Sequence, residues 1–378
     1  MNNVLSKKIG ILGGGQLGRM LLQEAYNLNL NVAVLDPSSD APCHQIAPEF
    51  VQGDFKDFET VLEFGKSCDI VTIEFEDVNS DALEQLEILG IEVYPQPGIL
   101  KIIQDKGLQK EFFSRHNIPT GKYLLASGKN DLSKNHPEFP FFLKLRKGGY
   151  DGYGVRLIKN TDDIHSAFNG ELLAEYAVDI DKEISVIVSR NKSGKTSVYP
   201  AVAMQFNPVA NMVEFLFSPA NIGEETEAQA ERLALDVIEN LGMVGILAVE
   251  MFLTKNGELL VNEIAPRPHN SGHHSIEGNY TSQFASHLRA ILDLPPGETA
   301  SRCASAMVNI LGEPGYSGLA VYEGIEQVLS IPGVYVHLYG KTHTKPYRKM
   351  GHVTITGSDS EEVETKALEV KKLLKCKA

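Results

Sequence analysis

The chain contains no tryptophan and only four cysteines in 378 residues. Cys43, Cys68, Cys303 and Cys376 stand far apart and form no CxxC pair. That pattern reads as a reduced, cytoplasmic protein without a cysteine zinc site. Positive charge is also scarce: 35 Lys and Arg against 49 Asp and Glu leave a net charge of −14. A phosphate backbone would be repelled, so no nucleic-acid partner is expected, although a locally basic pocket can still take a small anion. Long hydrophobic runs are missing. None approaches membrane-spanning length, so no membrane partner is expected. The start, MNNVLSKKIGILGGG, is too short in its apolar run for a signal peptide and leads straight into a strand and a glycine loop. What is present is ordinary globular composition, 43% hydrophobic and 22% charged, in a chain long enough for two or three domains.

The first hundred residues alternate strand and helix. KIGIL, NVAVLD, FVQGD, CDIVTIEFED and EVYP read as strands, with LLQEAYNL, FETVLEFG and SDALEQLEILG as helices between them. Such alternation predicts a parallel sheet covered on both faces. Gly13, Gly15 and Gly18 satisfy GxGxxG between a strand and a helix, and Asp36 ends the next strand. A dinucleotide site is one reading, with Asp36 on a ribose. The more general one is an anion site, because glycines admit close backbone approach and a helix N-terminus offers free N–H groups. Glu74 and Glu76 flank Phe75 at a strand end where ligands of open α/β sheets bind. Alternation lets one of them face a ligand and the other solvent.

The pattern then changes. QDKGLQKEFFSRHNI reads as helical, and FPFFLKLR is an apolar strand carrying Lys144 and Arg146. KGGYDGYG follows, with four glycines in eight residues, and GVRLIKN is a further strand. Two strands joined by a glycine-rich turn with basic flanks can form a mobile cover over phosphates. Glu175 closes the strand ELLAEYAV, and Glu183 opens EISVIVSR. Glu175 through Val178 could line a base, with Glu183 on its ribose. ETEAQAERLALDVIENLG reads as an amphipathic helix leading into two apolar strands, GILAVEMFLT and ELLVNEIAPR. Glu250 and Glu263 interrupt those strands. Carboxylates there are costly to bury unless a cation pairs with them, and Mg2+ prefers one or two carboxylates plus substrate phosphates. Asn262 adds an amide oxygen.

The stretch VNEIAPRPHNSGHH continues with Arg267, His269, Asn270, Ser271, His273 and His274. A structural turn does not need them. The first half reads as the holder of a metal-bound nucleotide and the second as the holder of a substrate phosphate. His269 and His273 have the four-residue spacing of helical zinc pairs, but Pro266, Pro268 and Gly272 argue against a helix. His274 is expected at the surface.

A strand lysine, a glycine-rich flap, a nucleotide-facing glutamate and a Glu…Asn-Glu set on adjacent strands together resemble the ATP-grasp superfamily. Within it the chain is similar, over essentially its full length, to the 5-(carboxyamino)imidazole ribonucleotide synthase family. GILGGGQLGRM, KGGYDGYG, VNEIAPRPHNSGHH and KPYRKMGH carry the resemblance. It implies a Rossmann-like pre-ATP-grasp domain at residues 1–104, an ATP-grasp domain at 105–297 and a small mixed domain at 298–378, α/β throughout. It implies a ligase in which bicarbonate and ATP form carboxyphosphate, which then carboxylates 5-aminoimidazole ribonucleotide (AIR) in purine biosynthesis. Carried over, the ATP site uses Lys106, Lys144, the flap residues Gly149, Tyr150, Asp151, Gly152, Tyr153, Gly154 and Val155, then Glu175, Tyr176, Ala177, Val178, Glu183, Asn262 and Glu263. Glu250 and Glu263 hold Mg2+, with Mn2+ as an alternative. The ribonucleotide meets Gln16, Leu17, Glu74, Tyr150, Asp151, Arg267, His269, Asn270, Ser271, Lys341 and Arg348. Catalysis falls to Asp151, Arg267 and Lys341. The resemblance also implies a homodimer and a functional link to the mutase that follows in the pathway.

Three positions depart from the family pattern. Lys106 replaces a common arginine, Val155 a common glutamine, and Phe206 stands near an expected histidine. DLPPGE at 293–298 reads as a linker, and SAMVNILG, VYVHLYG, HVTITG and a closing amphipathic helix follow. KTHTKPYRKMGH is the one basic cluster, a solvated loop on its own terms and a phosphate site if the resemblance holds. Other readings are another ATP-grasp ligase, such as a formate-dependent glycinamide ribonucleotide transformylase, a nicotinamide oxidoreductase built on the GxGxxG, and a non-catalytic nucleotide-binding regulator.

Overall fold

The structure, a computed structural model, describes residues 4–135, 138–148, 154–207 and 212–378. Most of the flap, Gly149, Tyr150, Asp151, Gly152 and Tyr153, lies outside them.

The N-terminal segment forms a parallel sheet from β1 (Lys8–Leu12), β2 (Asn31–Asp36), β3 (Glu49–Gln52), β4 (Ile70–Ile73) and β5 (Glu92–Tyr94). Their spatial order is β3-β2-β1-β4-β5. β1 and β4 are buried almost from end to end, as strands covered on both faces must be. The covering helices are α1 (Gln16–Asn27) on one side and α2 (Phe58–Lys66) and α3 (Ser80–Ile88) on the other. α4 (Pro97–Gln104) and α5 (Lys106–Arg115) then lead out of this layer.

Among the described residues, β6 (Tyr123–Ala126), β7 (Phe141–Leu145), β8 (Val155–Ile158) and β9 (Leu172–Tyr176) form a four-stranded sheet in the order β6-β9-β7-β8. β7 and β8 pair antiparallel, with Lys144 opposite Val155, so the flap joins their ends. The larger sheet is built from β10 (Ile180–Arg190), β11 (Thr196–Val198), β12 (Val202–Asn207), β13 (Met212–Ser218), β14 (Gly245–Thr254), β15 (Leu259–Ala265) and β16 (Ala304–Leu311). It runs β15-β14-β10-β12-β13-β16 and continues through the strands Lys349–Gly357 and Val334–Leu338. The sheet therefore passes straight across the expected linker at 293–298. The helix Glu224–Leu241 covers one face of it, burying Ala230, Ala234, Val237 and Ile238 against Ile184, Val186, Val188 and Val249. The closing helix Ser360–Leu373 covers the C-terminal strands through Val363, Ala367 and Val370.

Candidate active site

The C-terminal edge of the parallel sheet faces both antiparallel sheets across a cleft of about 1070 Å3. Glu74, held by the glycine loop, lines one wall. Gly15 donates its amide to Glu74 Oε2 at 2.5 Å, and Gly14 donates to Asp36 Oδ2 at 2.7 Å. A Cβ on Gly15 would sit 2.4 Å from Glu74 Oε1, so the missing side chain makes room for that carboxylate. Asp36 Oδ1 accepts from the Ser38 amide at 2.8 Å. Both of its oxygens are thus used by the chain's own amides, which counts against the dinucleotide reading. Gln16 and Leu17, the first residues of α1, line the cleft beside Glu74. Burial pushes the Glu74 carboxyl up to about 7, against the Gly15 amide and Arg267, which favour its charged form. Glu76 does not face away, as simple alternation suggested. It lines the same cleft and pairs with Arg267 at 2.8 Å, because β4 has ended at Ile73 and the chain has left strand geometry.

The lysines form the second wall. Lys144 on β7 pairs with Glu175 Oε2 on β9. Lys110 on α5 pairs with Glu175 Oε1 at 2.7 Å. Burial alone would raise the Glu175 carboxyl, but two ammonium groups overcome it and hold the group below its ordinary value. Glu175 thus orders lysines at this wall, where the sequence suggested a lining for a base. Tyr176 and Val178 line the cleft, while Ala177 is exposed. Lys106 follows Asp105, which caps α5 by accepting from the Gly107 and Leu108 amides at 2.9 and 3.2 Å. Asp105 also receives two bonds from Arg146, at 2.8 and 2.9 Å. This cap fixes the start of α5, where Lys106 lines the cleft, as Val155 also does. Gly154 is buried, and its carbonyl accepts from the Leu145 amide at 2.9 Å.

The floor carries the carboxylates. Glu250 on β14 stands directly opposite Glu263 on β15. The ladder then shifts, since Met251 pairs with Val261 and Asn262 is the extra residue of a bulge. Val261 and Ile264 belong to the core, so without the bulge Glu263 would share the core face with Val261. Asn262, Glu263, Glu250 and Glu183 all line the cleft. Burial first, then Glu263 and Glu183, push the Glu250 carboxyl up to about 8. Burial and Glu263 raise Glu183 as well. Crowded acids of this kind have an unmet demand for a cation. No cluster of three or more His, Cys, Asp or Glu able to hold a metal occurs among the described residues. Two carboxylates completed by phosphate oxygens nevertheless suit Mg2+.

The segment after β15 closes the site. His269 Nδ1 accepts from the Ser271 amide at 3.3 Å, which leaves the ring proton on Nε2, 3.5 Å from Glu250 Oε1. Burial, with Arg267 and Lys349, pushes His269 down to about 3, so the ring is neutral. Asn270 lines the cleft. Ser271 is fully buried behind it, its hydroxyl 2.8 Å from Ser185 Oγ. His274 is not at the surface: it is buried, with Nδ1 3.1 Å from the Ser271 carbonyl. Its nearness to the tight 3-10 turn Asn270–Gly272 tucks it inward. Lys341 donates to Gln16 Oε1 at 3.0 Å and to the Lys349 carbonyl at 2.7 Å, joining the C-terminal segment to α1. Arg348 donates to the His343 carbonyl at 2.5 Å and does not line the cleft, whereas its neighbour Lys349 does.

Sequence reading missed Lys110, Lys349 and the pairing role of Glu76. Lys349 lay within the basic cluster already singled out. Alternation at a strand end, by contrast, gives no hint of a Glu76–Arg267 pair. The bulge had a signal: Leu259, Val261 and Ile264 are core residues spaced two and then three apart.

Residues 6–104 match the family described as the ribonucleotide synthetase preATP-grasp domain, and residues 111–284 the ATP-grasp domain. Residues 305–366 match the phosphoribosylaminoimidazole carboxylase C-terminal domain. The chain is 44% identical to the crystallised N5-carboxyaminoimidazole ribonucleotide synthetase of Thermotoga maritima, with a TM-score of 0.91 over 98% of this chain and 99% of that one. The chain belongs to the N5-carboxyaminoimidazole ribonucleotide synthetase family. Another family structure, from Aspergillus clavatus in complex with ADP and AIR, is 35% identical, with a TM-score of 0.89 and 98% of each chain covered. The chloroplastic phosphoribosylaminoimidazole carboxylase of Vigna aconitifolia is 38% identical over 94% of this chain. The chain spans 65% of that relative's length.

Proposed function

We propose that the chain is the ATP-dependent ligase that carboxylates AIR, giving N5-carboxyaminoimidazole ribonucleotide, ADP and phosphate. Family membership supports this reading, and so does the C-terminal match. Formate-dependent transfer is the weaker alternative on the same ground. The observation that carries the proposal is the pairing of Glu250 with Glu263 on the floor of one cleft. The walls of that cleft hold Lys144 on one side and Glu74 with Arg267 on the other.

In this reading bicarbonate attacks the γ-phosphate of ATP, and carboxyphosphate carries the carboxyl group to the amine. Phosphoryl transfer depends mainly on positioning and charge neutralisation. Lys144 and Lys106 supply cations on the nucleotide side, with Glu183 and the residues Glu175–Val178 beside the nucleoside. Bound Mg2+, or Mn2+, held by Glu250 and Glu263, would neutralise phosphate charge. Asn262 adds a polar contact. Arg267 offers a bidentate fork to an oxyanion, which an ammonium cannot. It is released from Glu76 as substrate charge arrives. Neutral His269, with Asn270, faces the same region, and Ser271 fixes the His269 ring from behind. Glu74, Gln16, Leu17 and Lys341 hold the ribonucleotide, and Lys349 joins them. Arg348 would need to leave the His343 carbonyl to do so. Asp151, outside the described residues, is proposed to orient the amine beside Tyr150. The flap Gly149–Val155 would exclude water from labile carboxyphosphate.

A homodimer, a cytoplasmic setting and passage of product to the mutase are proposed on the family resemblance and on the four free thiols. No helix among the described residues is long and apolar enough to cross a membrane.

The test is ADP release by purified protein with Mg-ATP. Release should rise strongly only when both AIR and bicarbonate are present. Turnover indifferent to AIR would keep the ATP site and reject the acceptor. Turnover that needs formate in place of bicarbonate would favour the transformylase.

A further inference from the structure

Lys110 is a lysine with its side chain only 4% exposed, and neither the family motifs nor the proposed chemistry uses it. Its ammonium has three acceptors on three different segments. It donates to Thr120 Oγ1 at 2.8 Å, to the Asn262 carbonyl at 3.0 Å and to Glu175 Oε1 at 2.7 Å. An ammonium has three hydrogens, so all are committed. Asn262 is the bulged residue of β15, whose backbone the β14 ladder leaves unpaired. An unpaired buried carbonyl is costly, and a cation is a strong partner for it. The neighbouring residue is held too. The Val261 carbonyl accepts from Thr120 Oγ1, and its amide donates to the Pro119 carbonyl, both at 2.7 Å.

We infer that Lys110 is a positioning residue that pins the Asn262 bulge and thereby turns Glu263 toward Glu250. The same ammonium fixes Glu175, and through it Lys144, so one buried cation sets the lysine wall and the carboxylate floor relative to each other. The inference rests on the proposed Mg-nucleotide site and deepens it. Lys110 lines the cleft, but its three hydrogens go to protein acceptors. Outer-sphere partners of metal ligands typically contribute about 10–100-fold in metal affinity.

The experiment is calorimetric ADP binding to the full chain, with and without Mg2+, for the unaltered protein and Lys110→Met. Met keeps the length and apolar bulk of the stem and leaves Glu175 paired to Lys144. The Mg2+ concentration giving half-maximal ADP binding should rise about tenfold, while metal-free ADP affinity changes less than about threefold. Lys110→Arg provides the same reading if the Met variant does not fold. It keeps the charge, but a planar fork cannot place one donor on each of three acceptors around a point. An unchanged Mg2+ requirement in a folded variant overturns the inference. Equal losses with and without Mg2+ also overturn it, because a merely structural lysine would behave that way. The readout needs no AIR. If the unaltered chain showed no AIR-dependent turnover, the carboxylase proposal would fail while this result stayed readable.

Discussion

Glu250 shows how one residue's environment becomes a property of the protein. Its carboxyl, ordinarily near 4.5, is pushed up to about 8 by burial and by Glu263 and Glu183. Between those values the folded protein keeps a proton that the unfolded chain has lost. Metal-free stability therefore falls as pH rises from about 4.5 to about 8. A divalent cation relieves the strain only by displacing that proton. MgADP should accordingly raise the melting temperature more at pH 8 than at pH 6, by about 2 °C or more, in a thermal scan. An equal rise at both pH values would mean that the carboxylates do not take the metal. Glu263→Gln removes one proposed ligand and one repulsion together. It should lower turnover more than the roughly 100-fold typical of an outer-sphere loss, leave the far-UV circular dichroism unchanged, and stabilise the metal-free protein at pH 8. Near-normal activity at saturating Mg2+ would reject Glu263 as a ligand.

At the scale of elements, the glycine loop before α1 looks like a phosphate cradle and is partly filled by the protein itself. Gly15 has an ordinary backbone conformation, φ −74°, so alanine would not strain the chain there. Its Cβ would instead displace the Glu74 carboxylate. If Glu74 meets the ribonucleotide as proposed, Gly15→Ala should raise the KM for AIR about tenfold, the size of a lost charge-assisted hydrogen bond. ADP affinity should stay within about twofold, because the proposed nucleotide site lies across the cleft. Steady-state kinetics with calorimetry would separate the two, and an unchanged KM would remove Glu74 from the ribonucleotide site. The loop also marks where sequence reading stopped. Strand–helix alternation, Lys144 and the Glu250/Glu263 pair were legible because each depends on local spacing. That Gly14 and Gly15 would bond Asp36 and Glu74 was not, because those carboxylates arrive from β2 and β4 through sheet order. Lys110 was hidden for a related reason: on a polar helix such as QDKGLQKEFF nothing distinguishes the buried lysine from its solvated neighbours.

At the scale of the whole molecule, the DLPPGE segment looks like a domain linker, yet the large sheet runs across it. Ser305–Val308 of β16 pair with Phe215–Ser218 of β13, and the strand Lys349–Gly357 then pairs with β16. Phe215 lies in the same core as Val308, Ile310, Met350 and Val353, with Phe217 packed against it. Composition can reveal a proline-rich connection but not whether the strands on either side of it share a ladder. The same C-terminal segment reaches back to the start of the chain, through Lys341 to Gln16 and through Thr342 to Asp40. It therefore finishes a sheet and closes one end of the cleft. A chain ending at residue 297 should lose both. It would expose the backbone edge of β13 beside two uncovered phenylalanines, an arrangement that invites strand-to-strand association. Size-exclusion chromatography should find it aggregated at concentrations where the full chain elutes as a single species. If it instead eluted as one compact species with the melting temperature of the full chain, the C-terminal segment would be a separate unit, and the shared sheet would contribute little to stability. A soluble truncation that also kept AIR-dependent ADP release would remove Lys341 and Lys349 from the ribonucleotide site.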